Sequence, residues 1–189
     1  MTRRALDILE QEHQLILRAL RVAEAMSRIF VTEGVIKSAD LNNMIEFIKF
    51  YADEFHHMKE EDVLFKWMAE RGVSTNDGPV QVMLYEHDVG RNYVSAIQEA
   101  MLNTNLNVAE QIEIIVQNLK SFVSTLAAHI FKEDHCLYPM VDRLIDDDGD
   151  AELLKRYQDK ISDEKSSRTN LYYCKLIEKL ELSYRPVEG

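Results

Sequence analysis

The decapeptide "HHMKEEDVLF" at residues 56–65 recurs in altered form as "HIFKEDHCLY" at residues 129–138. Both stretches have His first, Lys fourth, Glu fifth, an acid sixth, Leu ninth and an aromatic residue tenth. Residues four positions apart share one face of an α-helix, so the first His and the Glu of each copy point to the same side. The repeat therefore predicts two helices that each present a His and a Glu toward a common centre.

The repetition extends to two further histidines, His13 in "QEHQ" and His87 in "YEHD". The distance along the chain from His13 to His56 is 43 residues, and the distance from His87 to His129 is 42 residues. The chain is thus predicted to contain two copies of one helical hairpin, related by an approximate two-fold axis.

The remainder of the sequence favours an all-α protein. It contains only 6 Gly and 3 Pro among 189 residues, and apolar residues recur at three- and four-residue spacing. Short, turn-rich connections between long helices favour antiparallel neighbours. We predict an up-down-up-down four-helix bundle over residues 1–145 and a C-terminal helical extension over residues 146–189, which either caps the bundle or forms a contact in a homodimer. The predicted helices cover residues 4–32, 38–72, 79 onward, 107–146 and 151–184.

The fourth predicted helix has the most regular inward face. Its positions alternate steps of four and three residues, the periodicity of a helix in a left-handed bundle. Within this face Cys136 is predicted to be a small core residue, whereas His135 is predicted to lie at the surface. The face consists of Ile115, Leu119, Phe122, Leu126, His129, Glu133, Cys136 and Met140.

Polar side chains occupy positions on these apolar faces where Leu or Ile is expected. An unpaired carboxylate moved into a core costs several kcal/mol, which is more than the roughly 2 kcal/mol that one buried Leu contributes. Four imidazoles and two carboxylates at a shared depth need a partner that compensates all of them, and a pair of divalent cations does so. The predicted metal ligands are His13, His56, Glu60, His87, His129 and Glu133.

The His doublet at the start of the first decapeptide allows two registers, His56 with Glu60 or His57 with Glu61. The internal repeat favours the first register, because Glu60 and its counterpart in the second decapeptide both precede an aromatic residue by five positions. His57 then corresponds to Ile130 in the second copy. We therefore expect His57 and Glu61 to lie outside the ligand set.

Composition excludes several classes of function. The formal net charge of −11 leaves no basic surface for nucleic acid or for an anionic membrane. No apolar run approaches the roughly 18 residues of a membrane span, and the first residues do not resemble a secretory signal. Cys136 and Cys174 form no disulfide framework, which favours a cytoplasmic protein.

These motifs resemble the hemerythrin-like (HHE cation-binding) family over roughly residues 5–145. The resemblance implies a four-helix bundle with a non-haem centre of two iron ions, bridged by the two glutamates and by an oxo or hydroxo group. Imidazole and carboxylate donors also suit manganese or zinc. The motifs that carry the resemblance are "EH" at 12–13, "HHMKEEDVLF", "EHDVGR" at 86–91 and "HIFKEDHCLYP".

The sequence departs from the oxygen-carrying hemerythrins, which place two His one turn apart on the third helix and end with a His and an Asp five apart. Here Met83 and Arg91 stand one turn from His87, and the last pair is His129 with Glu133. Four His and two Glu resemble the iron-centre repair proteins of the same family, which implies a coordination position left open or filled by water.

Three functions are compatible with this ligand set. The first is a redox-active di-iron protein that binds or reacts with O2, NO or peroxide, with or without turnover. Its roles would be stress response or iron-centre repair, with an unidentified redox partner. The second is an iron or oxygen sensor, or an iron-delivery module, that acts through the C-terminal helix. The third is a purely structural metal site. A bundle that holds no metal is the remaining alternative.

Overall fold

The computed structural model describes residues 4–185, apart from the side chains of residues 163 and 164. This part of the chain is all-α and forms a helical bundle, which confirms the predicted fold class. Helices α1 to α4 are the four long helices of the bundle, and α5 and α6 form the C-terminal extension. The six helices are α1 (Arg4–Glu33), α2 (38–70), α3 (Gly78–Leu102), α4 (Val108–Val141), α5 (Asp147–Lys160) and α6 (Asp163–Ser183).

Local sequence signals determine where the bundle helices begin and end. The Asn107 side chain accepts a hydrogen bond from the Glu110 backbone N–H at 3.0 Å, and the Glu110 carboxylate accepts one from the Asn107 N–H at 2.9 Å. This reciprocal capping box starts α4. Gly72 follows α2 with a φ of +86°, a left-handed conformation that glycine adopts without steric cost. The resulting loops are short, so successive helices run antiparallel.

Three segments of π-helix interrupt the α-helical geometry around the centre of the bundle. They are Phe47–His57 and Glu60–Leu64 in α2 and Glu133–Leu137 in α4. A π-helix bonds residue i to residue i+5 and therefore holds more residues per turn than an α-helix. Each such segment shifts the inward face relative to the α-helical repeat.

This shift makes the prediction for Cys136 wrong. The strict alternation of three and four residues places Cys136 on the inward face, but the side chain is exposed. The π-helical turn moves the inward face by one residue, so Leu137 is buried in its place, followed by Val141. His135, predicted to lie at the surface, is exposed and stacks on Phe131.

The apolar core consists of two clusters separated by a polar layer. On α1, Leu9 belongs to the smaller cluster and Ile16 to the larger cluster, with His13 between them. On α4, Leu126 belongs to the larger cluster and Leu137 to the smaller one. The buried apolar residues of α2 and α3 are likewise divided between the two clusters, with the polar layer between them. The predicted ligands therefore lie in a layer that is covered by apolar side chains on both sides.

Helix α4 is long and apolar enough, by length and composition, to cross a membrane. The core helix of a bundle has the same composition, because its inward face is apolar. Helix α4 packs against α1 and α3 and carries the buried His129 and Glu133 toward the polar layer.

The C-terminal extension differs from the single helix predicted over residues 151–184. The chain breaks at Ile161 and Ser162 into α5 and α6, and the Ser162 side chain caps α6 by accepting a hydrogen bond from the Lys165 N–H. Asp146, predicted only to end the fourth helix, caps α5 by accepting a hydrogen bond from the Gly149 N–H at 2.8 Å. Serine and aspartate are strong N-cap residues, which explains both helix starts.

The extension packs onto the bundle. Leu153 of α5 joins the smaller apolar cluster, and Ile177 and Leu180 of α6 join the larger one. Arg18 of α1 also donates two hydrogen bonds to the Glu181 carboxylate, at 2.9 and 2.8 Å. The extension therefore lies against the side of the bundle. Its contact in a homodimer stays a prediction. The division of the chain into two domains at residue 145 stays a prediction.

The contribution of α6 to stability can be tested by Ile177→Ala. Ile177 is completely buried, so its truncation is expected to lower the free energy of unfolding by about 2–5 kcal/mol. Lys175→Ala, on the exposed side of the same helix, is the control and should change it by less than about 0.5 kcal/mol. Denaturant unfolding of both variants measures the difference. Equal stabilities would contradict the packing of α6 onto the bundle core.

Candidate metal centre

The structure brings all six predicted ligands together in the polar layer. None of them is more than 1% exposed. Together with the neighbouring His57, these residues form two groups of possible metal ligands. Within each group all donor atoms lie within 4.8 Å of one another. The first group contains His13, His56, Glu60 and Glu133, and the second contains His57, Glu60, His87 and His129.

The two glutamates lie between the two groups. Glu133 has one oxygen 3.2 Å from His13 Nε2 and the other 3.1 Å from His129 Nε2. Glu60 Oε2 lies 3.7 Å from His56 Nε2 and 3.5 Å from His87 Nε2. Each carboxylate therefore faces one imidazole from α1 or α2 and one from α3 or α4. This is the arrangement required of carboxylates that bridge two ions.

An outer layer of carboxyl groups orients the four imidazoles. Each Nδ1 donates a hydrogen bond to an acid on a neighbouring helix, at a distance between 2.6 and 3.0 Å. A carboxylate can only accept, so Nδ1 carries the proton and the Nε2 lone pair points into the centre. The pairs are His13 with Asp134, His56 with Glu12, His87 with Glu61, and His129 with Glu86.

The outer layer repeats the two-fold symmetry of the sequence. Lys59 donates to Glu12 at 2.8 Å, and Lys132 donates to Glu86 in the second half. The Lys at the fourth position of each decapeptide thus holds the acid that precedes the His of the neighbouring helix. The shared Lys of the two decapeptides is explained by this contact, which sequence reasoning did not identify.

The carboxylate oxygens and imidazole Nε2 atoms that face the centre of the site lack hydrogen-bond donors. Glu60 Oε2 and both oxygens of Glu133 are completely buried and accept no hydrogen bond. His87 Nε2 and His129 Nε2 lie only 3.0 Å apart. When Nδ1 holds the proton, these atoms are all acceptors that face other acceptors. Such an arrangement is unfavourable without a cation between them, so the donor set fits a pair of metal ions.

Protons compensate part of this charge when metal is absent. Burial opposes protonation of His13, but its hydrogen bond with Asp134 and the charge of Glu133 raise the pKa to about 10. Burial likewise opposes protonation of His129, and the nearby Glu133 and Glu86 raise that pKa to about 10. Burial, reinforced by the charge of Glu133, raises the Glu60 pKa well above its usual range.

His57 is a seventh member of the cluster, although the sequence predicted that it lies outside the ligand set. Its ring is 7% exposed and stacks on the His87 ring with centroids 3.7 Å apart. The π-helical segment that ends at His57 reduces the angle between successive residues, so both members of the doublet face inward. The doublet itself was the signal for this. The predicted open coordination position rests on four imidazoles, and the structure places a fifth imidazole, that of His57, beside the donors of the second group.

Tyr138 also belongs to the site and was not identified from the sequence. Its hydroxyl donates to Glu60 Oε1 at 2.7 Å and lies 3.4 Å from His13 Nε2. Its ring stacks on His13, and in the other half Phe65 stacks on His87. Burial raises the Tyr138 pKa well above its usual range, so the hydroxyl keeps its proton.

Two differences between the halves of the site lie directly beside the donors. His57 lies beside the second group, and the equivalent position beside the first group is Ile130, a buried apolar residue. The first group has the hydroxyl of Tyr138 where the second has the apolar ring of Phe65. The two halves therefore offer different surroundings to the ions they would hold.

A cavity of about 230 Å³, named here the side cavity, reaches the second group from the surface between α2, α3 and α4. The exposed Lys49 and Ser95 line its outer end, and the buried rings of His57 and His87 line its inner end. Solvent and small molecules therefore have a route to one side of the centre.

Taken together, the helical bundle and the two buried donor groups, which share Glu60 and have Glu133 between them, fit a metal-binding protein. The model of the hemerythrin HHE cation-binding domain matches residues 4–165, which is most of the chain. The chain belongs to this family. The match extends through α5, beyond the region over which the motifs alone indicate the resemblance. Comparisons with curated proteins and with solved structures returned no match.

The distinct role of His57 can be tested by His57→Ala. The first group keeps all its donors in this variant, so one ion should still bind as in the unmodified protein. The second group loses an imidazole, and its affinity is expected to fall by about 10- to 100-fold. Titration with a divalent metal, followed by metal analysis, separates the two binding steps. The control is His135→Ala, which changes an exposed residue and should leave both steps intact. Two unchanged steps in His57→Ala would exclude His57 as a ligand.

Metal binding should release protons. Near neutral pH the metal-free protein holds protons on His13 and His129, because both pKa values are raised to about 10, and the raised pKa of Glu60 favours its protonated form as well. Metal ions must displace these protons, so the affinity should increase as pH rises and level off above about pH 10, the pKa of both imidazoles. Calorimetric titration in buffers of different ionisation enthalpy counts the protons. An affinity that does not depend on pH, with no proton released, would contradict this charge distribution.

Proposed function

We propose that the centre holds two iron ions and that the loaded protein binds or reacts with a small ligand, O2, NO or peroxide. The observation that carries the proposal is the pair of donor groups that share Glu60 and have Glu133 between them, because Glu60 Oε2 and both oxygens of Glu133 are buried without another partner. Iron is favoured by membership of the hemerythrin family, and the donor types also suit manganese or zinc. The bridging oxo or hydroxo group implied by the family stays a prediction.

Two iron ions, when bound, would supply one-electron chemistry and positions at which a diatomic ligand or peroxide can bind. The residues of the chain prepare this site in several ways. The outer carboxyl groups fix the imidazoles so that Nε2 faces the centre, which reduces the reorganisation needed for binding. The two apolar clusters limit the access of water to the layer.

Access of a small ligand is proposed to be one-sided. The side cavity ends at His57 and His87, which belong to the second group. The first group is covered by Tyr138, whose hydroxyl is held by Glu60. A ligand that enters through the cavity therefore meets the second group first. With five imidazoles present, the ligand set alone does not favour iron-centre repair over reversible O2 binding.

A second function is favoured by the contacts of α6. This helix packs against α1 and the π-helical part of α2, which both carry predicted ligands. Tyr51, one turn from the ligands of α2, donates a hydrogen bond to Asn170 of α6 at 2.7 Å. A change at the centre can thus be transmitted to the extension, as an iron or oxygen sensor or an iron-delivery module requires. In that case the protease sensitivity of α6 should differ between metal-free and metal-loaded protein, and equal sensitivity would exclude the idea.

We also propose that the protein is cytoplasmic, since both of its cysteines are free thiols, as is usual in a reducing compartment. A redox partner and a homodimer remain proposals. Helix α6 leaves Leu171, Tyr172 and Leu182 exposed, which gives a homodimer an apolar surface to use.

The primary function is tested with anaerobic ferrous protein. Exposure to O2, NO or H2O2 in turn should produce new visible absorption with at least one of them, in proportion to the bound iron. Glu133→Ala removes a carboxylate that lies between the two groups and should lose most of the iron and the absorption with it. His135→Ala serves as the matched control and should behave like the unmodified protein. A stoichiometrically loaded protein that shows no spectral change with any of the three ligands would contradict the proposal and favour a structural site.

A further inference from the structure

The side cavity is larger than a diatomic ligand needs. Its volume is about 230 Å³, whereas a dry apolar cavity of about 150 Å³ already binds benzene. The cavity therefore has room for an aromatic ring with a substituent. Its apolar lining consists of Ile48, Ala52, Gly90, Val94, Phe122 and Leu126.

The charged groups in the interior of the cavity are already paired with groups of opposite charge. Arg91 donates to Asp53 at 2.7 Å and to Glu61 at 2.6 Å, so its guanidinium is already paired. Glu86 accepts hydrogen bonds from His129 and from a lysine on α4. The interior of the cavity thus has no charged side chain left to pair with a ligand. A buried ionic ligand would need such a counter-ion. This favours an uncharged ligand.

Polar groups that do not carry charge are present as well. Thr125 contributes a hydroxyl and Gln98 contributes an amide to the lining. Both groups can donate to or accept from a hydroxyl or carbonyl on a ligand. An apolar body with a few polar contacts is the usual composition of a small-molecule site.

Gly90 is the residue that keeps the cavity wide. It lies in the interior of α3, where glycine is among the least favourable residues for helix stability. A Cβ at this position would lie 3.6 Å from the Phe122 ring, which is an ordinary contact, so the helix packing itself does not exclude a side chain. In the first copy of the repeat the position three residues after the His is Ile16, which is buried in the core. The space that Ile16 fills in one half is left open in the other.

We propose that the side cavity binds a small uncharged organic molecule, with an apolar body about the size of a single aromatic ring, against the imidazoles of the second group. The inner wall is formed by His57 and His87, so the ligand would lie beside the centre and not at a remote surface. The site thus takes a second class of ligand in addition to a diatomic molecule or peroxide. Binding at the cavity does not require a metal. The binding proposal can therefore be tested independently of the proposed function.

The test uses benzyl alcohol as the uncharged probe and benzoate as its charged counterpart. Ligand-observed NMR and calorimetry on the full chain, both metal-free and zinc-loaded, should detect benzyl alcohol and show at least ten-fold weaker binding of benzoate. Failure of the unmodified protein to bind benzyl alcohol in both forms, or tighter binding of benzoate, would overturn the proposal.

Variants at Gly90 locate the binding. Gly90→Leu fills the cavity and should weaken benzyl alcohol binding by more than ten-fold. Asn92→Leu is the matched control, since Asn92 is exposed on the same helix and lies outside the lining, and it should bind as the unmodified protein does. Gly90→Ala adds a single methyl group, keeps the fold, and should weaken binding about three-fold. Unchanged affinity in a folded Gly90→Leu, or in Gly90→Ala if the larger variant does not fold, would place the probe elsewhere and refute the assignment.

Discussion

The arrangement of the molecule depends on one electrostatic constraint. Two carboxylates and the lone pairs of several imidazoles face each other in a layer that is closed off by apolar side chains on both sides. Acceptors in such a place repel one another unless positive charge lies between them. In the metal-free protein this charge is supplied by protons on His13 and His129, whose pKa values are raised to about 10, and the raised pKa of Glu60 favours the neutral form of its carboxyl group. Divalent ions are better matched to the positions of these donors, which explains why the centre of a bundle of this size is polar.

The outer carboxyl groups and the repeated lysines determine how the imidazoles are held, and they follow the two-fold repeat of the chain. The departures from symmetry all lie near the centre. His57 adds an imidazole to one half, Tyr138 adds a hydroxyl to the other, and Gly90 leaves space on the side of His57. A symmetric scaffold with access from one side can hold two ions of which only one is reached by a small ligand. A centre that reacts with a ligand at one ion requires this difference.

Much of the fold and of the candidate site could be predicted from the sequence, because the bundle helices obey the helical repeat over most of their length. The six polar residues stood out since they occupied apolar positions at a common depth. The residues that were missed, His57 and Cys136, lie next to π-helical segments, where the repeat on which the prediction relied no longer applies. Tyr138 looked like an ordinary core residue, because its hydroxyl contact depends on α2, which is distant in sequence. The break between α5 and α6 was missed because the polar stretch "SDEKSSRTN" at residues 162–170 contains no glycine or proline, and the cap at Ser162 was not recognised.

The central claim is that cations lie between the buried acids and imidazoles of the polar layer. Anomalous X-ray diffraction, measured at the absorption edge of the metal that co-purifies with the protein, tests it most directly. We expect two anomalous peaks, one enclosed by the donors of the first group and one by those of the second, with Glu60 and Glu133 contacting both. A well-ordered crystal structure in which this layer contains only water or direct hydrogen bonds, with the metal bound elsewhere or not at all, would contradict the account.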